Sequence, residues 1–273
     1  MADVPAAADV AAVAFEFDLS DPARAAHWRA RVEHLTRTDP DGGFVAVADG
    51  EVVGMAQAML RDDVWCLSLF AVAPGAQSGG AGGQLLAATL GYGAERRGGL
   101  IVASDDPRAL TLYARAGFAV QPSLEAFGAP GPLPPADRRV ARMHGTPEQL
   151  RALEPISRAV RGAAHTPELE FALGPSGAHL FVLDQRGFAV TTNGHAVWLL
   201  AARDAEAASV LLIEALRDLV SVPEAPVRWI TQDQDWAVQT LVGLGLRLRT
   251  FGALCVLGDV GPLRPYIPSG AFA

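Results

Sequence analysis

The chain contains no lysine: all 22 of its basic residues are arginine. That absence excludes a Walker-type phosphate loop, which closes on Gly-Lys-Ser/Thr. With abundant Ala, Gly and Pro it points to a GC-rich, bacterial genome. Cysteine is nearly absent too. Cys66 and Cys255 stand singly in the apolar runs VWCLSL and ALCVLG. A disulfide framework is therefore excluded, and two buried free thiols in a reducing compartment are expected. No apolar run reaches the ~18 residues of a membrane helix and no signal peptide is legible, so a cytoplasmic protein is expected. An excess of positive charge is missing as well: the net charge is −8 and the pI is near 5.2. Nonspecific binding to nucleic acid or to an anionic membrane is disfavoured on that count. The six histidines (His27, His34, His144, His165, His179 and His195) are scattered without ligand spacing, so no metal site is expected.

What is present is core-forming material. Of 273 residues, 50% are hydrophobic, enough for two domains of ordinary size. In chain order, 8–17 reads as a short helix. Ser20-Asp21-Pro22 opens a second one that runs to about Arg37, with Trp28, Val32 and Leu35 on one face. Segments 44–48 and 52–56 flank Asp49-Gly50, a two-residue hairpin signal. The apolar run 64–72 reads as a buried strand, ended by Pro74. A helix from Gln84 is expected to close near Arg96-Arg97-Gly98-Gly99, and 100–103 is a short buried strand. Asp105-Asp106-Pro107 caps a further helix to Ala116, closed by Gly117.

The chain is organised around the joint between strand 64–72 and the helix that follows. There Gln77-Ser78-Gly79-Gly80-Ala81-Gly82-Gly83 supplies four glycines and no acid. Strand, glycine loop and helix start form a layout that binds phosphate. Missing Cβ atoms allow backbone N–H groups to converge, and the helix terminus adds unpaired donors and a positive dipole end. A dinucleotide loop would need a ribose-binding acid about 20 residues on, and Asp105 and Asp106 lie near that distance. A different motif fits better. The pattern Val72-x-Pro74-x-x-Gln77-x-x-Gly80-x-Gly82 resembles the acyl-CoA loop of GCN5-related N-acetyltransferases, the GNAT superfamily. Downstream, Asp106-x-x-Ala109-x-x-x-Tyr113-x-x-x-Gly117-Phe118 is similar to the second motif of that family, in the expected order and spacing. Asp106 stands where Asn is usual, and no clear first strand precedes the first helix.

The resemblance covers about residues 8–128 and implies an α/β (α+β) fold, a mixed, mostly antiparallel sheet flanked by helices. It implies acyl transfer from acetyl-CoA to the amine of a small molecule, amino acid or peptide. In that scheme the backbone of Phe70, Ala71 and Val72 receives the pantetheine and polarises the carbonyl. The loop Gln77, Ser78, Gly79, Gly80, Ala81, Gly82 and Gly83 holds the pyrophosphate, Asp106 and Ala109 complete the cofactor motif, and Tyr113 is the general acid. The acceptor walls in this fold come from variable segments, here 17–29 and 122–135. The base is not identifiable among Glu16, Asp18, Glu33, His34, Asp62, Asp63, Glu125 and the carboxylate of Ala273.

The second half echoes the first. Segments 178–183, 196–201, 205–220, 227–230 and 233–245 parallel the strands and helices above. Gln234, Ala237 and Leu241 align on Asp106, Ala109 and Tyr113. The glycine loop has become Arg203-Asp204-Ala205-Glu206-Ala207-Ala208, without glycine and with two carboxylates. The domains are therefore read as 1–137, catalytic and CoA-binding, and 138–273, a degenerate repeat. The repeat is available for packing, dimerisation or one wall of the acceptor pocket. The Pro/Gly-rich segment 128–137 is a linker or the turn of a hairpin that brings 138–143 back as the first domain's closing strand. The tail from Pro262 has no periodicity, and either frays or lies over the first domain's cleft. A non-catalytic acyl-CoA sensor or scaffold is the alternative function.

Overall fold

A computed structural model describes residues 3–77, 79–174, 177–192, 196–219 and 226–272. The chain packs as two compact units, Met1–Arg97 and Gly98–Ala273. In the first, helix α1 (Val4–Ala14) offers a strip of small residues, Ala7, Ala8, Ala11 and Ala12. Against it lies α2 (Pro22–Thr38), whose Asp21 cap accepts from the backbone N–H groups of Ala23 and Arg24. The Trp28 indole donates to the Ala8 carbonyl across the helix pair (2.9 Å). Strands β1 (Gly43–Ala48) and β2 (Glu51–Arg61) form the hairpin that Asp49-Gly50 promised. Both turn residues are left-handed, with φ of 51° and 83°. Strand β3 (Val64–Val72) runs antiparallel to β2. The carboxylate of buried Asp39 accepts from both terminal nitrogens of Arg61 (2.9 and 2.8 Å), the Tyr92 hydroxyl and the Leu60 amide. So full a set of partners is what a buried ion pair requires.

Helix α3 (Ala81–Tyr92) follows a single 3-10 turn, Pro74–Ala76. It stops short of Arg96-Arg97, where the sequence placed its end. A Cβ on Gly93 would lie 2.4 Å from the Trp65 ring, which leaves no room for a further turn of ordinary residues. Arg96 reaches back from beyond the helix to the carbonyls of Leu90 and Gly93 (3.0 and 2.7 Å).

The second unit opens with β4 (Gly98–Ala103), α4 (Pro107–Arg115) and β5 (Ala119–Phe127). Then come β6 (Ala141–Met143), α5 (Pro147–Arg161), α6 (Thr166–Leu173), β7 (His179–Leu183), β8 (Gly187–Thr191), β9 (Val197–Ala202), α7 (Ala205–Arg217), β10 (Val227–Thr231), α8 (Asp235–Gly243), β11 (Arg247–Gly258) and β12 (Tyr266–Ile267). From α5 to β11 the order repeats that of α1 to β5. Thr146 and Gln149 form a reciprocal capping box at the start of α5, the Thr-x-x-Gln signal visible in the sequence but not read there.

The strands do not close as a hairpin within the first half. Strand β11 enters between β4 and β5, antiparallel to both, with Cys255 opposite Ile101 on one side and Val120 on the other. Strand β10 follows on the far edge of β5. Segment 138–143, expected to return beside β5, contributes β6 to the other sheet, where Met143 pairs with Leu180. That sheet runs β12-β9-β8-β7-β6. Strand β11 is why the second compact unit reaches back to Gly98. In its core α7 packs on β7, β8 and β9 and α8 on α7 and β11, and Leu211, Leu212, Leu216, Leu241, Ile230, Leu246 and Ala126 belong to one buried cluster. The tail does not fray. Tyr266 and Ile267 pair with Ala201 and Leu200 of β9 and are buried. Both cysteines are buried thiols outside any disulfide, as expected.

Candidate functional site

Strand β3 leads into the glycine loop. Phe70, Ala71 and Val72 pair with Ala56, Met55 and Gly54 of β2. The register slips by one residue between Gln57 and Ala58, so Ser68 is the extra residue of a bulge. A bulge bends its strand and re-aims the amides beyond it. The Ser68 carbonyl accepts from the Arg31 guanidinium of α2 (2.9 Å). Burial pushes Arg31 down to about 10, so it still carries its charge at neutral pH. The sequence reading missed Arg31 and the bulge; the one available hint is Ser68, a polar residue inside an apolar strand.

Beyond the strand, the Gln77 side-chain amide donates to the Val72 carbonyl (3.2 Å) and ties the loop to the end of β3. Ser78 lies outside the described residues. Gly80 is the N-cap of α3, left-handed at φ 85°, with no side-chain hydrogen bond capping the helix among the described residues. Among the described residues, added Cβ atoms at Gly80 or Gly83 would meet nothing within 4 Å, and at Gly79 only the Ala76 carbonyl at 3.6 Å. The space above the first turn of α3 is open, and the backbone can be approached closely by an anion.

The matching place in the second half is closed. Asp204 caps α7 by accepting from the Ala207 amide (2.9 Å). Arg186 bridges Asp204 and Glu206 at 2.6 and 3.0 Å. The donors that would meet a phosphate have a carboxylate in front of them.

In α4, Asp106, Ala109 and Tyr113 recur on one face. Asp106 caps the helix through the Arg108 amide (2.8 Å), and its hydrogen bond from the Arg108 guanidinium lowers its pKa from the ordinary carboxylate value. Tyr113 is buried, and that burial pushes its phenol well above its ordinary value; Cys255 and Asp106 nearby act in the same direction. Gly117, at φ 94°, turns the chain out of the helix, with the Phe118 amide bonded to the Tyr113 carbonyl (3.1 Å). In the second half Leu241 is fully buried, and Gln234 does not cap α8.

Several candidate bases are committed elsewhere. Glu125 is buried between Arg228 and Arg249 (3.0 and 2.5 Å), and Asp63 pairs with Arg97 at 3.0 Å. Asp18 accepts from the Ser20 amide (2.9 Å), and Ala273 lies outside the described residues. His34 is buried; burial, with Arg37 and Arg61 beside it, pushes it down to about 4. Its folded value lies below its ordinary 6.5, so folding favours the neutral ring. The associated stability is full above pH 6.5 and drains as pH falls toward about 4. We expect His34→Leu to flatten the stability–pH curve in that window in urea unfolding; an unchanged slope assigns the proton uptake to other groups. Among the described residues there is no group of three or more His, Cys, Asp or Glu able to hold a metal, and no helix long and apolar enough to cross a membrane.

Residues 8–118 match the sequence model of the acetyltransferase (GNAT) family. That segment, in the first half of the chain, is of the GNAT family. Its fold is similar over its full length to a candidate acetyltransferase from Pyrococcus horikoshii, at TM-score 0.80 and 18% identity, covering 100% of this chain and 93% of that one. A tandem GNAT protein from the clavulanic acid biosynthesis pathway aligns at TM-score 0.60 and 14% identity, over 96% of each chain. A GCN5-related N-acetyltransferase from Sphaerobacter thermophilus aligns at 0.54 and 17%, over 99% and 96%. No curated protein matches significantly. At these identities the structural likenesses establish a doubled GNAT fold, and the site must be argued from its own residues.

Proposed function

We propose that this GNAT protein is an acetyl-CoA-dependent N-acetyltransferase that moves the acyl group to an amine of a small molecule, amino acid or peptide by direct attack. Residues 1–137 are the catalytic module and 138–273 its repeat without a CoA loop. The observation that carries the reading is the contrast between two helix starts. Helix α3 begins on a left-handed glycine with open space over its donors, and α7 begins behind two carboxylates. A nucleotide pyrophosphate suits the first and is repelled by the second.

In this assignment the thioester supplies an activated acyl group. The Phe70, Ala71 and Val72 backbone receives the pantetheine and polarises the carbonyl. The loop from Gln77 through Ser78 to Gly83 takes the pyrophosphate, and Asp106 and Ala109 set the start of α4. Tyr113 is the general acid toward the leaving sulfur. A phenol raised by burial keeps its proton at neutral pH, the state that donation requires.

We expect Tyr113→Phe to lower kcat roughly 10- to 1000-fold with little change in CoA affinity, as for a lost general acid. Steady-state thiol release from acetyl-CoA over an amine panel is the measurement. A wild-type kcat in the variant would make Tyr113 a core residue. CoA binding without turnover by the parent protein would identify an acyl-CoA-binding scaffold instead.

A further inference from the structure

The sheet formed by β4, β11, β5 and β10 has two faces of different character. Leu124, Ala126, Leu248 and Ile230 pack toward α7 and α8. Alternation along the strands turns Glu125 and Phe127 of β5, and Arg247 and Arg249 of β11, to the other face. Contacts place Arg228 of β10 with them. Its Nε donates to one oxygen of Glu125 (3.0 Å) while the Arg249 Nε donates to the other (2.5 Å). The Arg247 and Arg249 guanidinium carbons lie over the same Phe127 ring, 4.6 and 4.9 Å from its centre. Arg228 lies over Phe251 at 4.8 Å. Glu125 is 2% exposed, whereas Arg228 and Arg249 are each 45% exposed.

These contacts do not explain the whole cluster as fold support. Arg228 and Arg249 meet on the Glu125 carboxylate, and Arg247 lies beside them, a local concentration of positive charge in a chain whose net charge is −8. Among the described residues Arg247 makes no ion pair. Like charges two residues apart on one strand face oppose folding, and an uncharged side chain at 247 would cover Phe127 as well. Stacking on the rings holds the planar forks in place before any ligand arrives, which lowers the ordering cost of binding. The Arg228 bond to Glu125 uses Nε, one of the five N–H donors of its guanidinium. Strands β10 and β11 flank β5, so the backbones carrying Arg228 and Arg249 are two strand spacings apart, about 10 Å, and Arg247 is about 7 Å further along β11. One tetrahedral anion contacts one end of such a row; a molecule with two separated carboxylates contacts both.

We propose that this face is a binding site for a small organic dianion of the dicarboxylate class, with Arg247 and Arg228 as its two points of attachment. The site stands independently of the acyl-transfer assignment. Calorimetry of the full chain with glutarate, acetate and inorganic phosphate, at low and at high salt, tests it. Glutarate should bind at one site, more tightly than either comparison anion, and more weakly as salt rises. Arg247→Gln and Arg228→Gln should each weaken it roughly tenfold, the loss of one charge-assisted contact. Arg247→Gln leaves the Glu125 pair intact, so its thermal unfolding should match that of the parent chain. No glutarate binding, or affinity unchanged in both variants, overturns the site. Phosphate binding as tightly as glutarate overturns the dicarboxylate assignment.

Discussion

Gly80→Glu is expected to abolish acetyl-CoA binding while leaving the fold in place. The substitution puts a carboxylate at the N-cap of α3, where the open space over Gly80 now admits an anion. At about 5 Å and an effective dielectric constant of about 20, each unit of like charge opposes binding by roughly 3 kcal/mol, or about 100-fold in affinity. A pyrophosphate carries more than one such charge. The fold is affected less, because the residue is exposed and an added Cβ meets nothing among the described residues. What remains is the strain of a non-glycine residue at φ 85°, roughly 1–2 kcal/mol. Gly80→Ala carries that strain without the charge and separates the two effects. In calorimetry the parent chain should fit one CoA site, Gly80→Ala should keep it, and Gly80→Glu should show no heat. Unchanged affinity in a folded Gly80→Glu protein would remove the loop from the binding assignment.

The features legible in the sequence are those fixed locally. Asp21-Pro22 starts α2, Asp49-Gly50 turns the first hairpin, and Asp106-Pro107 starts α4, each through bonds or dihedrals made within a few residues. The glycine loop is legible for the same reason: a left-handed N-cap without a side-chain cap is a property of the residues themselves. The pairing partner of a strand is not. Segments 119–127 and 138–143 satisfy a hairpin pattern as well as a swapped one, because alternation fixes which face a residue occupies and leaves the neighbouring strand open. The insertion of β11 between β4 and β5 depends on contacts more than 100 residues apart in the chain. The same holds for Glu125, a plausible general base in one dimension and the shared partner of Arg228 and Arg249 in three. The bulge at Ser68 leaves no pattern, since one slipped residue in an apolar strand changes no periodicity.

In the sequence the tail reads as fraying or as covering the first domain's cleft; its docking on β9 is not legible there because backbone bonds make it, with no amphipathic pattern. Deleting residues 262–273 is expected to unfold the second unit rather than trim it. The Leu263 amide donates to the Val160 carbonyl (2.8 Å), and the Ala202 amide to the Pro265 carbonyl (3.2 Å). Gln234, which aligns with the capping Asp106, has a different job here. Its amide nitrogen donates to the Leu263 carbonyl (2.7 Å) and its oxygen accepts from the Tyr266 amide (3.0 Å). Further on, Tyr266 meets His165 at 3.0 Å, and the Phe272 ring packs edge-on against Phe171 and Trp198. The Phe272 carbonyl accepts from fully buried Arg161 (3.1 Å). Tyr266, Ile267 and Phe272 are all but inaccessible to solvent. Exposing three such side chains costs roughly 5–9 kcal/mol, against a whole-domain stability of about 5–15 kcal/mol, before Arg161 loses one of its acceptors. β12 also occupies the edge of β9, the strand that matches β3. In the proposed assignment, an incoming pantetheine would find that edge already paired with the chain's own end. Phe272→Ala is the graded form of the experiment, expected to cost about 3–5 kcal/mol. Urea unfolding followed by far-UV circular dichroism reads both variants. A truncated chain with the parent midpoint would show that the second unit stands without its tail.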